Sequence, residues 1–209
     1  MAITTFSELK TAIADTINRS DLTSVIPNWI AMFEAAVSRE MRVQDMITRN
    51  TAYSISTAFT AVPADFRQAT NLRLTSTSPT KPLVFRTAAD MLNLQEVHGD
   101  TAGEPVWYSV VGSNLQVVPA PGQTYTAELT YYGKLTALSD GAPSNWMLSK
   151  HPDAYLYGSL VHSAPYLKDD DRIQIWGGLV QAALESIRRD DDGYKIGGAA
   201  PSSFGRAIG

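Results

Sequence analysis

Apolar positions follow the helical period at both ends of the chain and alternate in its middle. Phe6, Leu9, Ile13 and Ile17 recur at helical spacing behind Thr5-Phe6-Ser7-Glu8, a capping box in which the Thr5 hydroxyl takes the Glu8 amide and the Glu8 carboxylate reaches back. "NRSD" then stops this helix and caps the next. A second helix is predicted from about Ser24 to Val43, with Ile26, Trp29, Ile30, Phe33, Val37 and Met41 on one stripe and Asn28, Ser38, Arg39 and Arg42 elsewhere. Pro27 falls in its first turn, where a missing N–H costs little.

From Thr48 the period changes. "NTAYSIS", "FTAVPADF", "NLRLTST" and "KPLVFRT" read as short strands separated by turn residues, and "TAADMLNLQ" as a small helix behind a Thr87 cap. "PVWYSVVGSNLQVVPAP" predicts a hairpin about Gly112-Ser113-Asn114. In "TYTAELTYYGKL" the alternation of Tyr125, Ala127, Leu129 and Tyr131 predicts a long strand packed on one face.

Helical spacing returns after "LSDGAPSN". Pro152 suits a first turn, with His151 at the cap and Asp153 near the positive end of the helix dipole. Leu156, Leu160, Ser163 and Leu167 form the expected stripe, and Pro165 predicts a kink or an early end. "KDDD" caps a last helix whose stripe is Ile173, Trp176, Val180, Ala183, Leu184 and Ile187, with Gln174, Gln181, Glu185 and Arg188 opposite. The Gly177-Gly178 pair costs roughly 1 kcal/mol per glycine relative to alanine, and close helix–helix approach is the expected compensation.

These periods predict an α+β fold: a helical bundle body formed by the N- and C-terminal helices, 1–47 and 137–190, with an inserted antiparallel β-rich module at 48–136 and a flexible C-terminal arm at 191–209. The body core is assigned to Trp29, Phe33, Val37, Leu156, Leu160, Trp176, Val180 and Leu184. The stripes of Trp29-Phe33-Val37 and Trp176-Val180-Leu184 are expected to share it. The tail, "DDDGYKIGGAAPSSFGRAIG", sets Tyr194, Ile196, Phe204 and Ile208 singly among Gly, Ala and Ser. Two readings stand: a disordered end, or an arm that orders on a partner.

Composition narrows the function. With 17 Lys+Arg against 21 Asp+Glu, a net charge of −4 lacks the positive excess that grips phosphate backbones. The chain has no cysteine, which removes disulfides, thiolate metal sites and cysteine nucleophiles. No window approaches the roughly 20 apolar residues of a membrane span, so a soluble protein made and used inside a cell is expected.

The stretch from Ser144 to Trp176 is the richest in candidate chemistry. Ser149, Lys150, His151 and Asp153 are too close in sequence to converge from a helix start, and capping accounts for them. His151 and His162 stand roughly 16 Å apart along a helix, too far to share a metal, and His98 in "EVHGD" reads as a solvated loop residue. Asp169, Asp170 and Asp171 precede a helix, where carboxylates cap. Asp190 to Asp192 are harder to explain, because negative charge is unfavourable at a helix C-terminus; Arg188 and Arg189 compensate, or the helix ends there and the run is solvated. "GDTAG" and "GGLVQAALESI" lack the context of a phosphate loop. No cofactor or metal is implied.

The segments "LTYYGKLTALSDGAPSNWMLSKHPDAYLYGSLVHSAPYLKDDDRIQIW", "LTSVIPNWIAMFEAAVSREMRV" and "VPADFRQATNLRL" resemble the head-to-tail adaptor proteins of tailed bacteriophages. The resemblance covers most of the chain in order and rests on structural residues. It implies a non-enzymatic virion protein of the neck, made in the host cytoplasm: a helical body with a β-rich insertion, twelve copies forming a ring below the portal, and contact with a downstream tail or nozzle protein. Genomic DNA would pass through the lumen without sequence-specific binding, and no membrane is involved. The resemblance also implies that the C-terminal arm, with Tyr194, Lys195, Ile196, Phe204, Arg206 and Ile208, reaches the portal. Two other classes remain open: a small soluble binding module without ring assembly, and a tail-associated peptidoglycan hydrolase using Asp169 or Glu185.

Overall fold

The computed structural model describes residues 2–98, 101–167 and 170–196; the side chains of 170, 171 and 194–196 are outside the description. Its secondary structure mixes six α-helices with eight strands among the described residues, an α+β fold. The chain divides into two compact units, one of residues 1–45 with 135–209 and one of residues 46–134.

The helical unit begins with α1 (Phe6–Ile17), whose capping box is complete: the Glu8 amide donates to Thr5 Oγ1 at 3.3 Å and the Thr5 amide to Glu8 Oε2 at 2.9 Å. The Thr4 amide and hydroxyl, each donating to Glu8 Oε2 at 2.8 Å, and then Thr5 hold the Glu8 carboxyl down to about 2. Helix α2 (Ile26–Glu40) buries Ile26, Trp29, Ile30, Phe33 and Val37. The chain returns at Leu135 and is fastened to α2 by two side chains. The Leu135 amide donates to Ser38 Oγ at 3.1 Å and the Leu138 amide to Glu34 Oε1 at 2.8 Å.

A short helix, α4 (Trp146–Lys150), is an element the periodicity did not predict, being too short to display a period. Asn145 caps it, accepting the Leu148 amide at 2.9 Å, and the His151 amide closes it on Met147 O at 2.8 Å. His151 therefore ends α4. Helix α5 (Pro152–Leu167) follows at once and carries Pro165 inside it; the kink or early end expected at that proline falls beside residues 168–169, which lie outside the described residues.

Helix α5 is the axis of this unit, and it corrects the expected packing. Both α2 and α6 (Asp170–Ile196) pack along α5, and the stripes of α2 and α6 do not share an extended contact among the described residues. The buried face of α5 is Ala154, Tyr155, Gly158, Ser159, Leu160, Ser163 and Ala164, where Leu156 and Leu167 were expected. Of the assigned core, Trp29, Phe33, Val37, Leu160 and Trp176 are buried, while Leu156, Val180 and Leu184 are only half-buried. Small residues on α5 let its neighbours close in, and that displaces the larger Leu156 to the margin. At Gly158 an added Cβ would stand 2.2 Å from Phe33 Cδ2. At Gly177 and Gly178 an added Cβ would meet no atom of another described element within 4 Å, so among the described residues close approach occurs on α5 and not at the glycine pair of α6.

A further correction concerns the C-terminus. Helix α6 continues through Asp190, Asp191 and Asp192 to Ile196, so residues 191–196 are helical where an extended arm was expected. The reason is tertiary: Asp191 is buried, and its Oδ1 accepts the Gln44 amide at 2.6 Å.

The second unit is built from two four-stranded sheets. β1 (Ile47–Ile55), β8 (Tyr125–Gly133), β3 (Phe66–Leu74) and β4 (Lys81–Pro82) form one in the order β1-β8-β3-β4; β2 (Phe59–Ala61), β7 (Asn114–Val118), β6 (Trp107–Val111) and β5 (Val84–Phe85) form the other in the order β2-β7-β6-β5. All pairings are antiparallel except β5 with β6. The expected hairpin is β6–β7, with Gly112 at φ 61°, a conformation that favours glycine. Tyr125, Ala127, Leu129 and Tyr131 of β8 face a core completed by Ile55, Leu72, Leu74, Tyr108, Leu115 and Val117. On the opposite face of β8, Glu128 Oε2 accepts from Arg49 at 2.6 Å and Arg73 at 3.0 Å, and the two guanidiniums hold its carboxyl down to about 2. Helix α3 (Ala88–His98) starts behind Thr87, whose Oγ1 accepts the Asp90 amide at 3.2 Å. It runs far enough to include His98, which is exposed as expected but helical rather than in a loop, its ring tilted 44° to that of Trp107 with centroids 4.9 Å apart.

Candidate functional site

In the helical unit the polar residues singled out by sequence serve two arrangements. The first is a buried network. Tyr155 donates to Glu34 Oε1 at 3.0 Å, and Asn145 Nδ2 donates to the Tyr155 oxygen at 2.6 Å and to Thr136 O at 2.7 Å. Burial raises the Glu34 carboxyl above its usual range against the Leu138 and Tyr155 hydrogen bonds that lower it. Burial also raises the Tyr155 phenol, helped by the Glu34 charge. A hydrogen-bonded carboxylate in such a place joins chain segments, because leaving any member unpaired would cost its full desolvation. Sequence reasoning missed Glu34: it lies among apolar neighbours on α2, and its partners come from more than 100 positions away.

The second arrangement is a cleft of about 750 Å³ where the end of α4 and the last turns of α6 meet residues 43–45. Lys150, His151, Asp190 and Asp191 all line it, so two clusters that were unconnected in the sequence converge. Lys150 Nζ pairs with Asp45 Oδ1 at 2.5 Å. Val43 and Ile187, both buried, give the cleft an apolar floor.

The other candidates serve local structure. Ser149 Oγ donates to Asn145 O at 2.9 Å and lies 3.1 Å from Ser144 Oγ, so its described partners do not include a histidine. Asp153 is exposed in the first turn of α5. His162 is half-buried on α5, where burial and then the Arg39 charge lower its imidazole below the usual value. Glu185 is exposed and accepts from Gln181 Nε2 at 3.4 Å. Asp169 lies outside the described residues. Among the described residues no group of three or more His, Asp and Glu could hold a metal ion, and no helix is long and apolar enough to cross a membrane. Of the arm residues, Tyr194, Lys195 and Ile196 belong to the last turn of α6, while Phe204, Arg206 and Ile208 lie outside the described residues.

A helical unit interrupted by a two-sheet insertion, with buried polar groups that join chain segments, defines a two-unit α+β protein. The family model described as SU10 adaptor protein matches residues 4–201, and the chain belongs to that family. It is thus a bacteriophage head-to-tail adaptor, a structural protein of the virion neck that associates with portal and tail proteins, in a family that is not one of enzymes. A search of curated proteins gave no match.

Proposed function

We propose that copies of this chain assemble as a ring, twelve of them as the resemblance implies, between the portal and a downstream tail or nozzle protein, enclosing a passage for the genome. The observation that carries this reading is the family match over nearly the whole length. The net charge of −4 agrees with it, since a lumen that bound phosphates strongly would retain DNA during ejection. The C-terminal residues act as the portal-docking arm. Phe204, Arg206 and Ile208 are its anchoring residues, and Tyr194, Lys195 and Ile196 its helical root. Ordering such a segment costs roughly 1–2 kcal/mol per residue in backbone entropy, so one arm binds weakly, whereas the first docked arm of a ring raises the effective concentration of the rest.

Size-exclusion chromatography with light scattering, with and without portal protein, tests the assembly. The expected result is a ring-sized species that includes portal. A species that stays at 22.7 kDa when portal is added would establish the small binding module instead. Truncation after Ile196 should leave the melting temperature nearly unchanged and abolish co-sedimentation with portal; retention at full affinity would move the contact to the helical unit.

A further inference from the structure

The cleft between α4 and α6 has features that neither folding nor the family explains. Its floor of Val43 and Ile187 is apolar, its rim is charged, and much of that charge is already committed. Asp45 is paired with Lys150, and Asp191 accepts the Gln44 amide. Asp190 also lines the cleft, is exposed, and makes no hydrogen bond or ion pair with a described residue. Among the described residues the carboxylates of Asp45, Asp190 and Asp191 and the cations Lys150 and Arg189 line the opening. The cleft therefore suits a peptide segment that brings one basic side chain between apolar ones.

One such segment starts a few residues away. Gly193 lines the cleft, α6 is described as far as Ile196, and the sequence runs on through Gly197 and Gly198 to "FGRAI", residues 204–208. From Ile196 to Arg206 is ten residues, which span up to ~33 Å when extended. The way back along α6 from Ile196 to Asp190 is only about 9 Å. We propose that the cleft is a binding site for residues 204–208 of the same chain, with Arg206 on Asp190 and Phe204 and Ile208 on the apolar floor. Attachment in the same molecule gives the segment an effective concentration on the order of millimolar, which favours a chain's own tail over that of a neighbour. This rests on the arm reading and adds its regulation: the arm is stowed until portal protein competes for it.

The natural chain has no cysteine, so one introduced pair reports the docking cleanly. In the full chain carrying Arg189→Cys and Ala207→Cys, oxidation in the absence of portal should give an intrachain disulfide at a rate independent of protein concentration. Asp190→Lys in that background should slow the reaction at least tenfold, and adding Arg206→Asp should restore it. Three results would overturn the proposal: no cross-link, a cross-link that joins two chains, or a rate indifferent to Asp190→Lys. Co-sedimentation of the unmodified chain with portal is scored separately, so failure of the stowed state leaves the arm reading to its own test. If the same segment serves both, portal protein should slow the cross-link; an unchanged rate at saturating portal would refute the regulatory role.

Discussion

Gly158→Ala should destabilise the helical unit, although alanine is the better helix former. The new Cβ would stand 2.2 Å from Phe33 Cδ2 and 2.3 Å from Cε2, against the ~3.5 Å at which carbon atoms rest in contact. Relief requires more than 1 Å of movement, by roughly that difference, from a ring that also packs edge-on against Tyr155 with centroids 5.5 Å apart. Overpacking costs about 1–3 kcal/mol, and this geometry lies at the upper end. Helix propensity returns about 1 kcal/mol. The net loss is about 2 kcal/mol, equivalent to a fall of roughly 4–8 °C in melting temperature for a protein of this size. Helix-sensitive circular dichroism during thermal unfolding measures it, and follows the helical unit even if the β unit melts separately. Gly177→Ala and Gly178→Ala are the matched comparison: with nothing within 4 Å of either Cβ position, each should stabilise by about 1 kcal/mol. Phe33→Leu should shrink the Gly158→Ala penalty, because the two residues share one contact and their effects are coupled. A Gly158→Ala protein as stable as the parent would refute the close approach of α2 to α5.

Trp176→Ala should cost roughly 3–5 kcal/mol as a large-to-small change at a buried site on α6, read as an early loss of helix signal in urea; an unchanged midpoint would place Trp176 outside the core. Glu128, with its folded value depressed to about 2 from 4.5, contributes stability that is present above about 4.5 and lost as pH falls through about 2. Glu128→Gln should therefore flatten the acid limb of β-unit stability between those values, as followed by fluorescence in a background where Trp29, Trp146 and Trp176 are replaced by Phe so that Trp107 alone reports, and an acid limb as steep as the parent's would exclude the Arg49–Glu128–Arg73 clamp as its source.

Elements whose cause is local were legible in the sequence. The Thr5–Glu8 box, the stripe of α2, the Gly112 hairpin and the alternation of β8 each depend on neighbours within a few positions and were read from them, although α2 stops at Glu40, leaving Met41 as its extended C-cap, and Ser38, expected off the stripe, is buried. The buried face of α5 was legible only in part: Leu160 and Ser163 of the expected stripe are buried, but Ala154, Gly158, Ser159 and Ala164 carry little hydrophobic signal, and at Gly158 it is the distant Phe33 ring that fills the space. The continuation of α6 past Asp190 was hidden for a related reason. An acidic run at a helix end reads as a stop until the amide that binds Asp191 is found on Gln44, 147 positions earlier. Likewise, Lys150-His151 and Asp190-Asp191 were legible as two clusters, but the cleft they share arises from the packing of α4 and α6. Sequence periodicity reports which face of an element avoids water. Which small residue admits a ring, and which carboxylate meets a distant amide, are decided when the elements pack, because those energies depend on distances that no local pattern encodes.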